Sequence, residues 1–204
     1  MSIEAAPQIE LLAITPNAER LIEEAGRTCY LSFDKMTDDS SKRFIRMVVK
    51  NGHHSVLEHA SATFRIKGGS RSFTHQIVRH RVASFSQQSQ RYVNEDDFQI
   101  VVPPSIKGNS EALAVFNTLI EQARTAYAKL KALDIRKEDA RFVLPNAVTS
   151  EIVISANFRE WRHILEVRLE KGAQWEIRLI CEEILKVLAA HAPTVFEDML
   201  TPQG

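Results

Sequence analysis

Apolar residues in this chain switch irregularly between helical and extended spacing, and that irregularity restricts the fold more than any other feature. Ile9–Ile14 reads as a buried strand ended by Thr15-Pro16. Ala18, Leu21, Ile22, Ala25 and Cys29 then follow helical spacing. A second helix carries Phe44, Ile45, Val48 and Val49 inward, with Gly52 just past its end. Ala62, Phe64 and Ile66 alternate as in a half-buried strand. From Ser70 to Val82 the spacing is helical again, through Phe73, Ile77 and Val78. Phe98–Pro104 reads as a strand closed by prolines. Asn109–Ala132 is a long helix of strong helix formers. A short helix stopped at Pro145, a strand over Thr149–Asn157 and helices ending near Gly172 and Pro193 complete the chain. Strands and helices do not alternate as βαβ units do. The expectation is an α+β fold, with mixed helices and a central antiparallel-type sheet, in a single domain over residues 1–204.

Charge narrows the function classes. Twenty-six Lys and Arg balance twenty-six Asp and Glu. That balance argues against wholesale binding to nucleic acid or an anionic membrane, while leaving room for a local basic pocket. No apolar run reaches membrane-spanning length. The first residues, MSIEAAPQIE, lack the basic-then-apolar pattern of an export signal. With two cysteines only, Cys29 and Cys181, a disulfide framework is not expected and a reducing cytoplasm is. No G-x-G-x-x-G follows a strand, no phosphate-binding P-loop occurs and no C-x-x-C is present.

The segment Arg79–Tyr92, RHRVASFSQQSQRY, is out of character with this apolar chain. It holds three arginines, a histidine, three serines and three glutamines. On a helix through Val82, Gln76 and Arg79 would share a face, and Arg79 and Arg81 would point to opposite sides, toward different anions. Guanidinium groups followed by hydroxyl and amide donors suit a phosphate ester. The residue types alone also admit a solvated polar loop. In Asn157–Arg168, Arg159 and His163 are four apart and share a helical face. Trp161, Ile164, Leu165 and Arg168 lie on another, apolar face. An arginine beside a core stripe needs an anion, an acid or an aromatic ring. Arg162 fits a surface ion pair. Arg141 lies among apolar residues before Pro145 and fits either a salt bridge or a site.

Other candidates are weaker. His53, His54, Glu58 and His59 invite a metal reading, but the five-residue gap between His54 and His59 does not match helical zinc spacing, and no metal site is expected. Cys29 and Cys181 both fall on apolar helical stripes and read as inert core thiols. No G-x-S-x-G elbow occurs, so a cofactor is the expected carrier of any difficult chemistry.

Arg79-His80-Arg81, then seven residues, then Ser89 resembles the signature of the flavin-dependent thymidylate synthases. The resemblance continues through GHHSVLEHA, ARFVLPNAVTSEIVISANFREWRHILEVR and AQWEIR, from about Ile9 to Phe196. It implies a homotetramer with FAD bound where subunits meet. The implied reaction is reductive methylation of dUMP at C5, with methylenetetrahydrofolate as carbon donor, NADPH as reductant and no enzyme nucleophile. Carried over by position, the resemblance makes Ser55, Arg79, His80, Arg81, Gln87, Asn157, Arg159 and His163 flavin contacts. His53 is placed near the flavin ring, where it positions the folate or controls access. Gln76, Arg79, Gln87, Ser89, Gln90, Arg91, Arg141 and Arg168 become dUMP contacts. Arg168 takes the catalytic role, favouring ionisation at N3 of the uracil. Ser86, Gln87 and Gln90 depart from residues common in that family, and Gly172 leaves a flavin contact there in doubt. Two rival readings stay open: a related methylase acting on UMP or another uridylate, and a non-catalytic nucleotide-binding protein using the same arginines.

Overall fold

The computed structural model describes residues 4–200. Four strands, β1 (Gln8–Ile14), β2 (Ser61–Ser70), β3 (Ser84–Gln87) and β4 (Thr149–Asn157), pair in the order β1-β2-β4-β3 in an antiparallel sheet. The helices are α1 (Ala18–Thr28), α2 (Ser40–Lys50), α3 (Arg71–Ile77), α4 (Pro104–Lys107), α5 (Ser110–Ala132), α6 (Lys137–Ala140), α7 (Phe158–Arg168), α8 (Trp175–His191) and α9 (Pro193–Phe196). The α+β expectation holds. Both long inner strands show the alternation that a half-buried sheet requires. Ala62, Phe64 and Ile66 are buried in β2, and Ser150, Ile152, Ile154 and Ala156 in β4.

The chain divides into two compact units. The first comprises Met1–Gln8, Ile66–Ile77 and Ser86–Ile152; the second comprises Ile9–Arg65, Val78–Phe85 and Val153–Gly204. In the first, Phe98, Ile100, Ile120, Ala123 and Val148 form one apolar cluster, and Asn109 caps α5 through its side-chain oxygen. Gly68 has a φ of +74°, and a Cβ there would sit 2.7 Å from the carbonyl oxygen of Ala6, so glycine is required twice over. In the second unit, α1 packs on α2, and α7 on α8. The fully buried Trp161 stands edge-on to Phe64 and donates from Nε1 to the carbonyl of Ala62 at 3.0 Å. Asn157 caps α7, accepting from the backbone NH of Glu160 at 2.8 Å.

Two expected elements differ. The helix begun at Arg71 stops at Ile77, not Val82. The chain turns instead, burying His80 and Ala83 while Val82 is left 74% exposed. Arg79 and Arg81 therefore sit on turns flanking a buried ring, and their expected placement on opposite sides of a helix does not apply. Phe98–Pro104 is not a strand. Only Ile100 bridges, to Glu4 and to Val148, because the prolines that follow cannot donate to a ladder.

Trp161→Ala removes a buried ring and strands the Ala62 carbonyl. Urea unfolding should show a loss of about 3–5 kcal/mol. A loss below about 1 kcal/mol would contradict the packing described.

Candidate functional site

The second unit assembles its candidate residues around α7. Arg168, at the last turn, donates from Nε to Nε2 of His80 at 2.9 Å. His80 is buried and Arg168 half-buried, and Trp161, Ile164 and Leu165 form the buried apolar stripe of the same helix. His163 meets the His80 ring edge-on, with centroids 5.7 Å apart, and Glu160 places an Oε1 4.0 Å from Nδ1. A guanidinium only donates, so Nε2 is the acceptor and the ring proton is assigned to Nδ1. Burial lowers the His80 pKa to about 4, and the positive charge of Arg168 and the neighbouring His163 act in the same direction. His80 is thus neutral near pH 7, and the Glu160 contact is a carboxylate facing an N–H dipole rather than an ion pair. Burial raises the Glu160 pKa, with His163 opposing.

A cavity of about 1330 Å³ lies in this unit. Asn157, Arg159, Glu160 and His163 form part of its wall, with Glu58, Val82 and Gly172. Arg159 is engaged by Glu58 at 2.5 Å, while Arg162 is held by Asp198 at 2.7 Å and by the Val195 carbonyl. Arg79 and Arg81 are exposed, and neither side chain has a hydrogen bond or ion pair among the described residues. His53 and Ser55 are exposed at the start of the 3-10 turn His54–His59. Two uncommitted guanidiniums suit an anionic group, and a roomy cavity with both polar and apolar walls suits a ring-bearing one.

The first unit gathers a different set. The Gln87 amide donates to the hydroxyls of Thr74 at 3.1 Å and Ser150 at 3.2 Å. Gln76 donates to the Ser72 carbonyl. Gln90 is buried, and the Ser89 hydroxyl accepts from the backbone NH of Arg91 at 3.3 Å. Arg91 and Arg141 converge on one residue. Arg91 Nε pairs with the Glu138 carboxylate at 3.0 Å, and Arg141 Nε donates to the Glu138 carbonyl at 3.0 Å. Behind them lies a group that sequence reasoning missed. Burial lowers the Arg71 pKa, with Arg141 adding repulsion, and burial raises that of Glu95, whose carboxylate is held by Gln88 at 3.0 Å.

Two pairings were also missed, Glu138 with Arg91 and Glu160 with His80 rather than with an arginine. For Glu160 a signal existed: Asn157-x-x-Glu160 has the spacing of a helix-capping box, which fixes Glu160 on the first turn beside His163. The pairing of Glu138 with Arg91 spans 47 residues and had no local signal.

The cysteines separate. Cys181 is buried and its thiol is pushed up to about 12, chiefly by desolvation, which makes it inert. Cys29 is exposed, not a core residue as its spacing suggested, because it lies just past the end of α1. No cluster of His, Cys, Asp and Glu suited to a metal ion occurs among the described residues.

The His80 environment makes a prediction about stability. Its folded pKa is below the usual 6.5, so the native chain binds fewer protons than the unfolded chain between pH 6.5 and 4. Stability should therefore fall as pH drops through that window. His80→Phe should flatten the decline relative to the parent, with Glu160 common to both. Urea titrations at several pH values check this, and equal slopes for the two proteins would contradict it.

Comparison with known proteins gives the family. Residues 10–194 match the family described as thymidylate synthase complementing protein. A flavin-dependent thymidylate synthase of Geobacter sulfurreducens is 42% identical over 199 residues, covering 94% of this chain and 86% of the relative. One of Nitratidesulfovibrio vulgaris is 43% identical, covering 97% and 92%. One of Mycolicibacterium gilvum is 40% identical, covering 95% and 84%. With 185 matched positions (10 through 194), the chain belongs to the flavin-dependent thymidylate synthase family.

Proposed function

We propose that this chain, acting as a single catalytic domain, converts dUMP to dTMP by reductive methylation at C5. FAD is the cofactor, methylenetetrahydrofolate the carbon donor and NADPH the reductant. The observation that carries the reading is the half-buried, oriented Arg168. It ends an apolar helix face with its Nε tied to a neutral ring. A fixed cation at N3 and O2 of a uracil stabilises the N3 anion and makes C5 more nucleophilic. That is activation by charge, and it requires no protein nucleophile. The inert Cys181 fits it.

When bound, the flavin supplies the hydride chemistry that no side chain can perform. The residues of each unit do the holding. In the second unit Arg79 and Arg81 neutralise cofactor phosphate, while Asn157, Arg159 and His163, on the cavity wall, and Ser55 and His53 orient its ring system. His80 is assigned to the flavin by position in the sequence. Arg168 and Arg79 are the nucleotide contacts of this unit. In the first unit the nucleotide contacts are Gln76, Gln87, Ser89, Gln90, Arg91 and Arg141. Gln87 also counts as a flavin contact. The Arg91–Glu138 pair has the form of a charge released to a phosphate on binding, with the carboxylate holding the guanidinium until then. Gln87 in place of a carboxylate keeps the donors that now engage Thr74 and Ser150.

We further infer a homotetramer in a reducing cytoplasm. Support comes from the exposed Tyr30, Leu31 and Phe33, apolar surface of the kind a partner covers, and from two free thiols. No helix among the described residues is long and apolar enough to cross a membrane.

Anaerobic turnover with dUMP, methylenetetrahydrofolate and NADPH, with and without added FAD, tests the reading. The expected product is dTMP, formed only with FAD present. Preference for UMP would replace the substrate, and a colourless protein that takes up no FAD would overturn the reading. Arg168→Ala should abolish turnover with little change in unfolding midpoint, and normal activity would refute its role. Arg81→Ala should lower FAD retention more than dUMP affinity. Unchanged flavin content after gel filtration would remove Arg81 from the cofactor site.

A further inference from the structure

We propose that His80 is a positioning residue for Arg168, acting as a hydrogen-bond acceptor that fixes the plane of its guanidinium, in addition to any contact with the cofactor. The proposal rests on the assignment of Arg168 to the uracil. The family resemblance implies a flavin contact only for His80, and the geometry adds a second duty. Arg168 Nε donates to His80 Nε2 at 2.9 Å, so one side of the guanidinium fork is anchored to a ring that is itself 7% exposed. An imidazole so buried has little rotational freedom. The charged and titratable groups that face it are Arg168, Glu160 and His163, all from α7. Cys181, from α8, faces Arg168 and is un-ionised.

The chemistry of the pair is specific. A protonated ring would have no acceptor at Nε2 and would repel the guanidinium. The neutral ring with its proton on Nδ1 is the one form that both accepts from Arg168 and presents N–H toward Glu160, 4.0 Å away. Glu160 is on the first turn because Asn157 caps the helix there, so the helix start and the helix end cooperate in setting the ring. An arginine that must stabilise a ring anion needs its plane aligned with N3 and O2, and an anchored Nε supplies that alignment.

The test combines spectroscopy with kinetics on the holoenzyme. Histidine-selective 15N NMR, with the His80 signal identified by its loss in His80→Phe, should show the Nδ1–H tautomer and no protonation down to about pH 5, above the value of about 4 set by its surroundings. His80→Phe should lower kcat by about 10²-fold, the cost of misplacing a catalytic group by about 1 Å, with a smaller change in KM for dUMP. His80→Gln, which returns an acceptor oxygen, should recover most of that loss. An Nε2–H tautomer, or titration near 6.5, would overturn the proposal. So would a His80→Phe protein whose only defect is FAD content, with kcat per bound flavin unchanged. If the wild-type chain makes no dTMP, the functional reading fails, and the tautomer and titration still decide the His80–Arg168 contact.

Discussion

The hydrogen bond from Arg168 to His80 organises the features that distinguish this chain. A guanidinium cannot accept, so the bond demands a neutral ring, and burial supplies one. Burying His80 also explains why α3 ends early. The backbone turns at Val78 and Arg79 to carry the ring inward, and the same turn throws Arg79 and Arg81 outward with Val82. One local decision thus yields two opposite environments within three residues. The middle side chain joins the interior, and its two arginine neighbours remain unpaired among the described residues.

The surroundings favour electrostatic over covalent chemistry. The buried thiol of Cys181 is held far from ionisation, and Cys29 lies past a helix end without a base beside it among the described hydrogen bonds and ion pairs. Arginines, by contrast, are arranged with care. Arg159, Arg162, Arg91 and Arg141 each have a defined acceptor, and these contacts limit where each guanidinium can point. A substrate that becomes anionic in its ring and carries phosphate is well matched to such a set.

Much of this was legible in the sequence. The strands Thr149–Asn157 and Ser61–Gly69 follow from strict alternation, and α7 and α8 from their apolar stripes, because burial on one face imposes those periods. Arg168 stood out for the same reason: a cation on an apolar face has few explanations. The errors share a cause. Val78 and Val82 continue a helical period past Ile77, yet the need to bury His80 outweighs the gain from burying Val82. Strand β3 was invisible because Ser84, Ser86 and Gln87 carry no apolar alternation, and an edge strand can be polar. Cys29 obeyed helical spacing but fell one residue beyond the helix. The partners of Arg91 and Arg168 come from distant segments, and pairing across such separations leaves no trace in local pattern.

The central claim is that an oriented cation, rather than a side-chain nucleophile, activates the nucleotide. Intact-protein mass spectrometry on acid-quenched samples taken during single turnover measures this most directly. The predicted result is an unmodified chain mass at every time point while dTMP accumulates. A nucleotide covalently attached to Cys29, or to any other residue, would contradict it.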